Sequence, residues 1–199
     1  MLNHHLFSLI NAPPGLTPAQ LFLPMAVARW SACGVLLGLV LSWWIAEREL
    51  RAELVKFATG AVIALLLAGA AAIVVGTLGP SAWGREAIPG TRYLPQGWLP
   101  DLPSTSVAML WAVAITAFGQ DRLSVAGPFL LTLGLAVGWS RIYLGASLPG
   151  DVLAALPVAA AASALTWWLR APVHRLALRL DEAQGRGLRR HFRRRPDQR

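Results

Sequence analysis

The sequence predicts an all-α membrane bundle of about five transmembrane helices, preceded by a short N-terminal interfacial helix. Three observations carry that prediction. Five apolar runs are long enough to cross a bilayer, since a helix rises about 1.5 Å per residue and the hydrocarbon core is about 30 Å thick. Of 199 residues, 55% are hydrophobic and only 14% charged, whereas a soluble domain carries about a quarter charged residues. The mean hydropathy is +0.51, and the length suits a single domain.

Taken in order, Leu2 to Ala12 reads as the interfacial helix, stopped by Pro13-Pro14-Gly15. It has no basic start followed by a long apolar stretch, so it does not read as a cleavable signal. Thr17-Pro18-Ala19-Gln20 then offers a hydroxyl N-cap, a proline at the first helical position and a glutamine at the third. The first span is Trp30 to Ala46, extended backwards through Arg29 into Leu21–Ala28; the second is Phe57 to Leu78. Leu102 to Gln120, Leu123 to Ser140 and Val152 to Leu169 are the remaining three, each near the minimum length. These elements divide the chain into an N-terminal segment (1–24), a membrane domain (25–170) and a basic tail (171–199). Cys33 is the single cysteine, which excludes an internal disulfide and reads as a small buried hydrophobe. Trp30, Trp43, Trp44, Trp139, Tyr143, Trp167 and Trp168 fall near predicted span ends, as an aromatic belt requires. Trp83, Tyr93 and Trp98 lie in the outer loop, either dipping it towards headgroups or packing it on the bundle.

The net charge is +8, but residues 170–199 hold ten arginines against Asp181, Glu182 and Asp197, leaving the rest close to neutral. A chain whose bulk has no basic face is not a nucleic-acid domain. Its tail reads instead as a cytoplasmic anchor on anionic lipid. The segment Glu47–Lys56 and the link Gln120-Asp121-Arg122 fall on that same side after five crossings. The N-terminus, the loop Gly79–Asp101 and the turn Arg141–Asp151 fall on the other.

Two polar stretches at span ends carry chemistry. One is Pro103-Ser104-Thr105-Ser106; the other runs from Ser140-Arg141 through Gly145 and Ser147 to Asp151. Arg141 presents a planar fork suited to two phosphate oxygens. Ser104 opens a span whose helix tip offers free N–H groups to an anion. As read from the residues, Asp151 is a helix N-cap, a partner for Arg141 or a direct carboxylate nucleophile. No histidine or carboxylate cluster has metal-ligand spacing, and nothing calls for a cofactor. His174 and His191 lie in the tail; His4 and His5 fall on the motif side and read as surface residues.

In these stretches the chain resembles the type-2 phosphatidic acid phosphatase superfamily, over roughly residues 25–170. That family carries Pro-Ser-Gly-His or Pro-Ser-Asp-His, then Ser-Arg-x3-Gly-x-His-x3-Asp. Pro103, Ser104, Ser140, Arg141, Gly145 and Asp151 match at the family spacing. The resemblance implies a bacterial inner-membrane protein with a periplasmic phosphate site, built from Ser104, Ser140, Arg141 and Gly145. The family's upstream Lys-x6-Arg-Pro has no clean copy; Arg85 is the nearest candidate for its arginine and Arg92 the next. The resemblance also places Ser147 where the family has its nucleophilic histidine, Ser106 where it has the acid for the leaving group, and Asp151 where it orients the nucleophile. A serine needs an adjacent base to attack and cannot deliver a proton near pH 7. Three readings are therefore open. The chain binds a phospholipid or polyprenyl phosphate headgroup without turnover; it is an active lipid or undecaprenyl diphosphate phosphatase using nonstandard residues; or it is a structural partner whose basic tail binds lipid.

Overall fold

The computed structural model describes residues 2–78, 90–94, 104–120, 123–172 and 175. Seven helices are assigned among them: α1 (Leu2–Ile10), α2 (Pro18–Ile45), α3 (Arg48–Leu78), α4 (Thr105–Phe118), α5 (Ala126–Tyr143), α6 (Pro149–Leu153) and α7 (Ala155–Trp168). Three helical stretches are long and apolar enough to cross a membrane: Pro18–Ile45, Glu53–Val74 and Pro149–Trp168. A fourth apolar helix, Thr105–Phe118, is shorter. Of the five spans expected, the fourth corresponds to α5, which has 18 residues.

The boundaries follow local chemistry. At the start of α2, the Thr17 N–H donates to Gln20 Oε1 at 2.9 Å, the reciprocal half of a capping box. The segment Glu47–Lys56, expected as a loop, belongs almost wholly to α3, and only Ala46 and Glu47 separate it from α2. Glu47 stands just before this N-terminus, where the macrodipole favours negative charge. The Arg51 Nε reaches back to the Ala46 carbonyl at 2.9 Å. The fifth predicted span is interrupted at Ala154. Pro157 has no N–H for the Leu153 carbonyl and crowds it, so the helix restarts as α7.

α4 is the axis of the bundle, packed against α3, α5 and α7. Its run Val107–Ala114 is buried on every side, and at 14 residues it is only about 21 Å long. Close approach comes from small residues. Gly60, Ala64, Ala68 and Ala72 form a buried row on α3, and Ala155, Ala159 and Ala162 are buried on α7. Hydroxyls in this layer are satisfied locally: Ser163 donates to Ala112 O or Ala159 O, each at 2.9 Å. Gly134 of α5 lies against the Trp111 indole, where an added Cβ would collide with the ring. Gly134→Ala is expected to displace that indole and cost about 1–3 kcal/mol. Thermal unfolding in detergent measures it.

α2 turns most of its surface outward. Trp30 and Trp44 are exposed on it, and Trp30 lies well inside the helix because α2 starts as early as Pro18. Cys33 is likewise exposed, not buried as expected. A helix apolar all round can leave any of its faces to lipid.

Candidate functional site

The start of α4, the end of α5 and the start of α6 meet at one end of the bundle. Ser104 is the N-cap residue of α4 and is fully buried. Its N–H donates to the Asp151 carbonyl at 3.1 Å, and its own carbonyl receives Ala108 N–H at 2.9 Å. The Ser104 hydroxyl makes no cap bond and has no partner among the described residues. Leaving such a group buried costs about 1–3 kcal/mol. Ser106 follows two positions into α4 and is half-buried.

Ser140 and Arg141 belong to the last turn of α5, where a cation suits the helix dipole. Ser140 is buried, and its carbonyl accepts Leu144 N–H at 3.0 Å. Beyond the helix the chain curls back on itself, with the Arg141 carbonyl receiving Ala146 N–H at 2.9 Å and Ser147 N–H at 3.4 Å. That curl brings Ser147 under the arginine side chain. Arg141 Nε donates to Ser147 Oγ at 3.2 Å, and Ser147 is fully buried.

The curl requires Gly145, whose φ is +73°, the left-handed region that side chains disfavour. A Cβ there would collide with the Thr91 carbonyl oxygen. Asp151 is buried at the third position of α6, and its Oδ2 accepts Leu148 N–H at 3.0 Å. It caps the helix from within, not as the N-cap residue. The Asp151 carboxylate also acts electrostatically on the Arg141 guanidinium.

Arginine 141 and Ser147 are therefore in direct contact, with Asp151 and the backbone of Ser104 joined to the same turn. Arg85, Pro103, Trp83, Trp98, His174 and His191 lie outside the described residues. Arg92 is exposed. Of the outer aromatics, Tyr93 packs the loop on the bundle: its hydroxyl donates to Pro13 O at 2.8 Å and accepts Leu16 N–H at 3.1 Å.

Sequence reasoning missed the brace that holds this turn from outside. Phe7 of α1 is fully buried in the main core. Asn3 Oδ1 accepts Gly150 N–H at 2.9 Å. Asn11 Nδ2 donates to Thr91 O or Tyr143 O, at 2.9 and 3.2 Å, and its Oδ1 accepts Thr91 N–H at 2.9 Å. Tyr93 N–H donates to Leu144 O at 3.0 Å. The spacing of Asn3, Phe7 and Asn11 on one helical face was the available signal. His4 is half-buried beside that face, and His5 is exposed opposite it.

Chemically, the turn offers a fixed cation, a serine hydroxyl bound to it and an unsatisfied hydroxyl at a helix tip. It is suited to an anion with several oxygens. The group bonded to the Ser147 hydroxyl is the Arg141 guanidinium, which donates to it and cannot accept its proton; Asp151 Oδ2 receives the Leu148 N–H.

No family model matches the chain. It is 30% identical over 158 residues to YbjG of Escherichia coli (strain K12), provisionally named an undecaprenyl-diphosphatase, covering 78% of this chain and 76% of that protein. The crystal structure of Aquifex aeolicus LpxE has the same fold: TM-score 0.60, with 84% of this chain and 95% of that one covered, at 20% identity. With the motif spacing retained, these likenesses place a helical membrane protein: the chain belongs to the type-2 phosphatidic acid phosphatase superfamily.

Proposed function

We propose that the chain holds a phosphate-bearing lipid headgroup without the hydrolysis typical of its family. In this reading it crosses a bacterial inner membrane five times, with the motif turn periplasmic and residues 171–199 on anionic lipid at the cytoplasmic face. The lipid is a phospholipid or a polyprenyl phosphate. The carrying observation is the 3.2 Å contact from Arg141 Nε to Ser147 Oγ. A cation is held ready for phosphate, and a hydroxyl occupies the position of the family's attacking imidazole. Ser104 adds its unpartnered hydroxyl, Ser140 and Gly145 shape the turn, and Arg85 is assigned a second cationic contact from the outer loop.

A second reading is favoured by the likeness to YbjG and its name. The chain would then be an active phosphatase on undecaprenyl diphosphate or a related lipid. Ser147 Oγ would attack the terminal phosphorus while Asp151 takes its proton; the bond from that phosphorus to the lipid-phosphate oxygen breaks, the leaving oxygen departs beside Ser106 and takes a proton from water, and water then hydrolyses the phosphoserine.

Phosphate release from undecaprenyl diphosphate and from phosphatidic acid, measured in detergent, separates the two. The first reading expects release at least about 10⁴-fold below that of a relative with both histidines. It also expects Ser106→His with Ser147→His to raise release well above the parent, because the phosphate cradle is already in place. Metal-independent turnover by the parent chain that vanishes in Arg141→Ala would establish the second reading.

A further inference from the structure

Two cavities adjoin at the opposite end of the bundle, where α3 begins and α4 and α7 end. The larger, about 770 Å³, is an open groove along α4 and α7. Ile115, Ala160, Ala164 and Trp168 make its apolar walls, and Trp167 and Arg170 stand at one end. Its volume lies within the roughly 300–1,000 Å³ of ligand sites in general. The smaller, about 130 Å³, shares Trp167 and Arg170 and is polar, with Lys56, Thr116, Gln120 and Thr166 around it.

The polar cavity has an unmet need. Gln120 is only 8% exposed, and its Oε1 is buried with no hydrogen-bond partner among the described residues. An orphaned acceptor of this kind is costly unless something donates to it. Thr116 and Thr166 cannot, because each hydroxyl donates to its own helix, to Ala112 O at 2.7 Å and Ala162 O at 2.8 Å. Lys56 and Arg170 bring two positive charges, and among the described residues no carboxylate lines either cavity. The Arg170 guanidinium lies 5.7 Å from the Trp167 ring centre, which holds the cation at the junction of the two spaces.

We infer that these joined cavities bind one glycerophospholipid, with an acyl chain in the α4–α7 groove and its phosphate between Lys56 and Arg170. A hydroxyl or ammonium group of the head donates to Gln120 Oε1. The groove's apolar walls favour a lipid over a free anion, which has no use for them. This site is separate from the motif turn. The 14 residues of α4 put about 21 Å between them, and the inference does not depend on what Arg141 holds.

Native mass spectrometry of the full chain in detergent, with added palmitoyl-oleoyl phosphatidylglycerol, tests it. Measurements are made in an Arg141→Ala background, so that the motif turn does not contribute. The expected result is one lipid per chain, weakened at least about tenfold by Lys56→Gln with Arg170→Gln, as loss of charged hydrogen bonds implies. Ala164→Trp fills the groove from its outer side and leaves both cations; it is expected to weaken the lipid comparably. Retention of the lipid by either variant would overturn the inference. So would its displacement by inorganic phosphate at equal concentration, which would mark a site for free anions. If the glutamine variant fails to fold, the tryptophan variant still decides.

Discussion

Arg141→Ala is expected to weaken binding of a phosphate-bearing lipid on the order of 10- to 100-fold, the value of one to two kcal/mol-scale charged hydrogen bonds. The arginine is half-buried at the end of α5, and its Nε is already committed to Ser147 Oγ. The planar guanidinium matches the geometry of a phosphate oxygen pair. Lysine is a poor substitute because it carries one point of charge and cannot keep the Ser147 bond while facing an anion. Arg141→Lys should therefore lie much closer to alanine than to the parent. Titration of short-chain phosphatidic acid into the detergent-purified protein reads both values. Unchanged affinity in a well-folded Arg141→Ala variant would remove the arginine from the site.

The second large effect is on stability. Gly145→Ala is expected to cost about 2–5 kcal/mol, combining the left-handed backbone penalty of about 1–2 with an overpacking term of about 1–3. The neighbour that would have to move is backbone, the Thr91 carbonyl. That carbonyl is not free to retreat, because Asn11 grips Thr91 at both its N–H and its C=O. Gly15 provides the matched control. Its φ is +88°, but nothing lies within 4 Å of an added Cβ, so Gly15→Ala should show the backbone penalty alone. The comparison is made by thermal unfolding in detergent. Equal losses at the two positions would mean that the contact with Thr91 does not constrain the turn.

Much of this arrangement was readable from local chemistry. Thr17, Pro18 and Gln20 mark a helix start that is found there, and Pro13-Pro14-Gly15 ends α1 as expected. The motif spacing brought Arg141 and Ser147 into one turn, because Gly145 permits the reversal between them. Other features depend on groups far apart in the chain. The spacing of Asn3, Phe7 and Asn11 marks a shared face, but not that Asn3 will meet Gly150 or that Asn11 will clamp Thr91; both are bonds to backbone that any chain could offer. The charged start of α3 misled for a different reason. Positive and negative residues mixed over ten positions suit a loop, and equally suit a helix whose first turn carries the acids. The interruption at Ala154 was legible in principle from Pro157, but the apolar run around it concealed it. Cys33 shows the limit of hydrophobicity as a guide: next to lipid, apolar does not mean interior.

The bond between Asn3 and Gly150 spans 147 positions of sequence. At roughly 5–20 residues per second, a ribosome takes about 7–30 s to travel that far. The α1 helix is therefore made well before its berth at Gly150 exists. Chains released before residue 150 would insert several spans and still leave Asn3 with no docking point, so nascent-chain crosslinking between these ends should appear only in the longest translation intermediates.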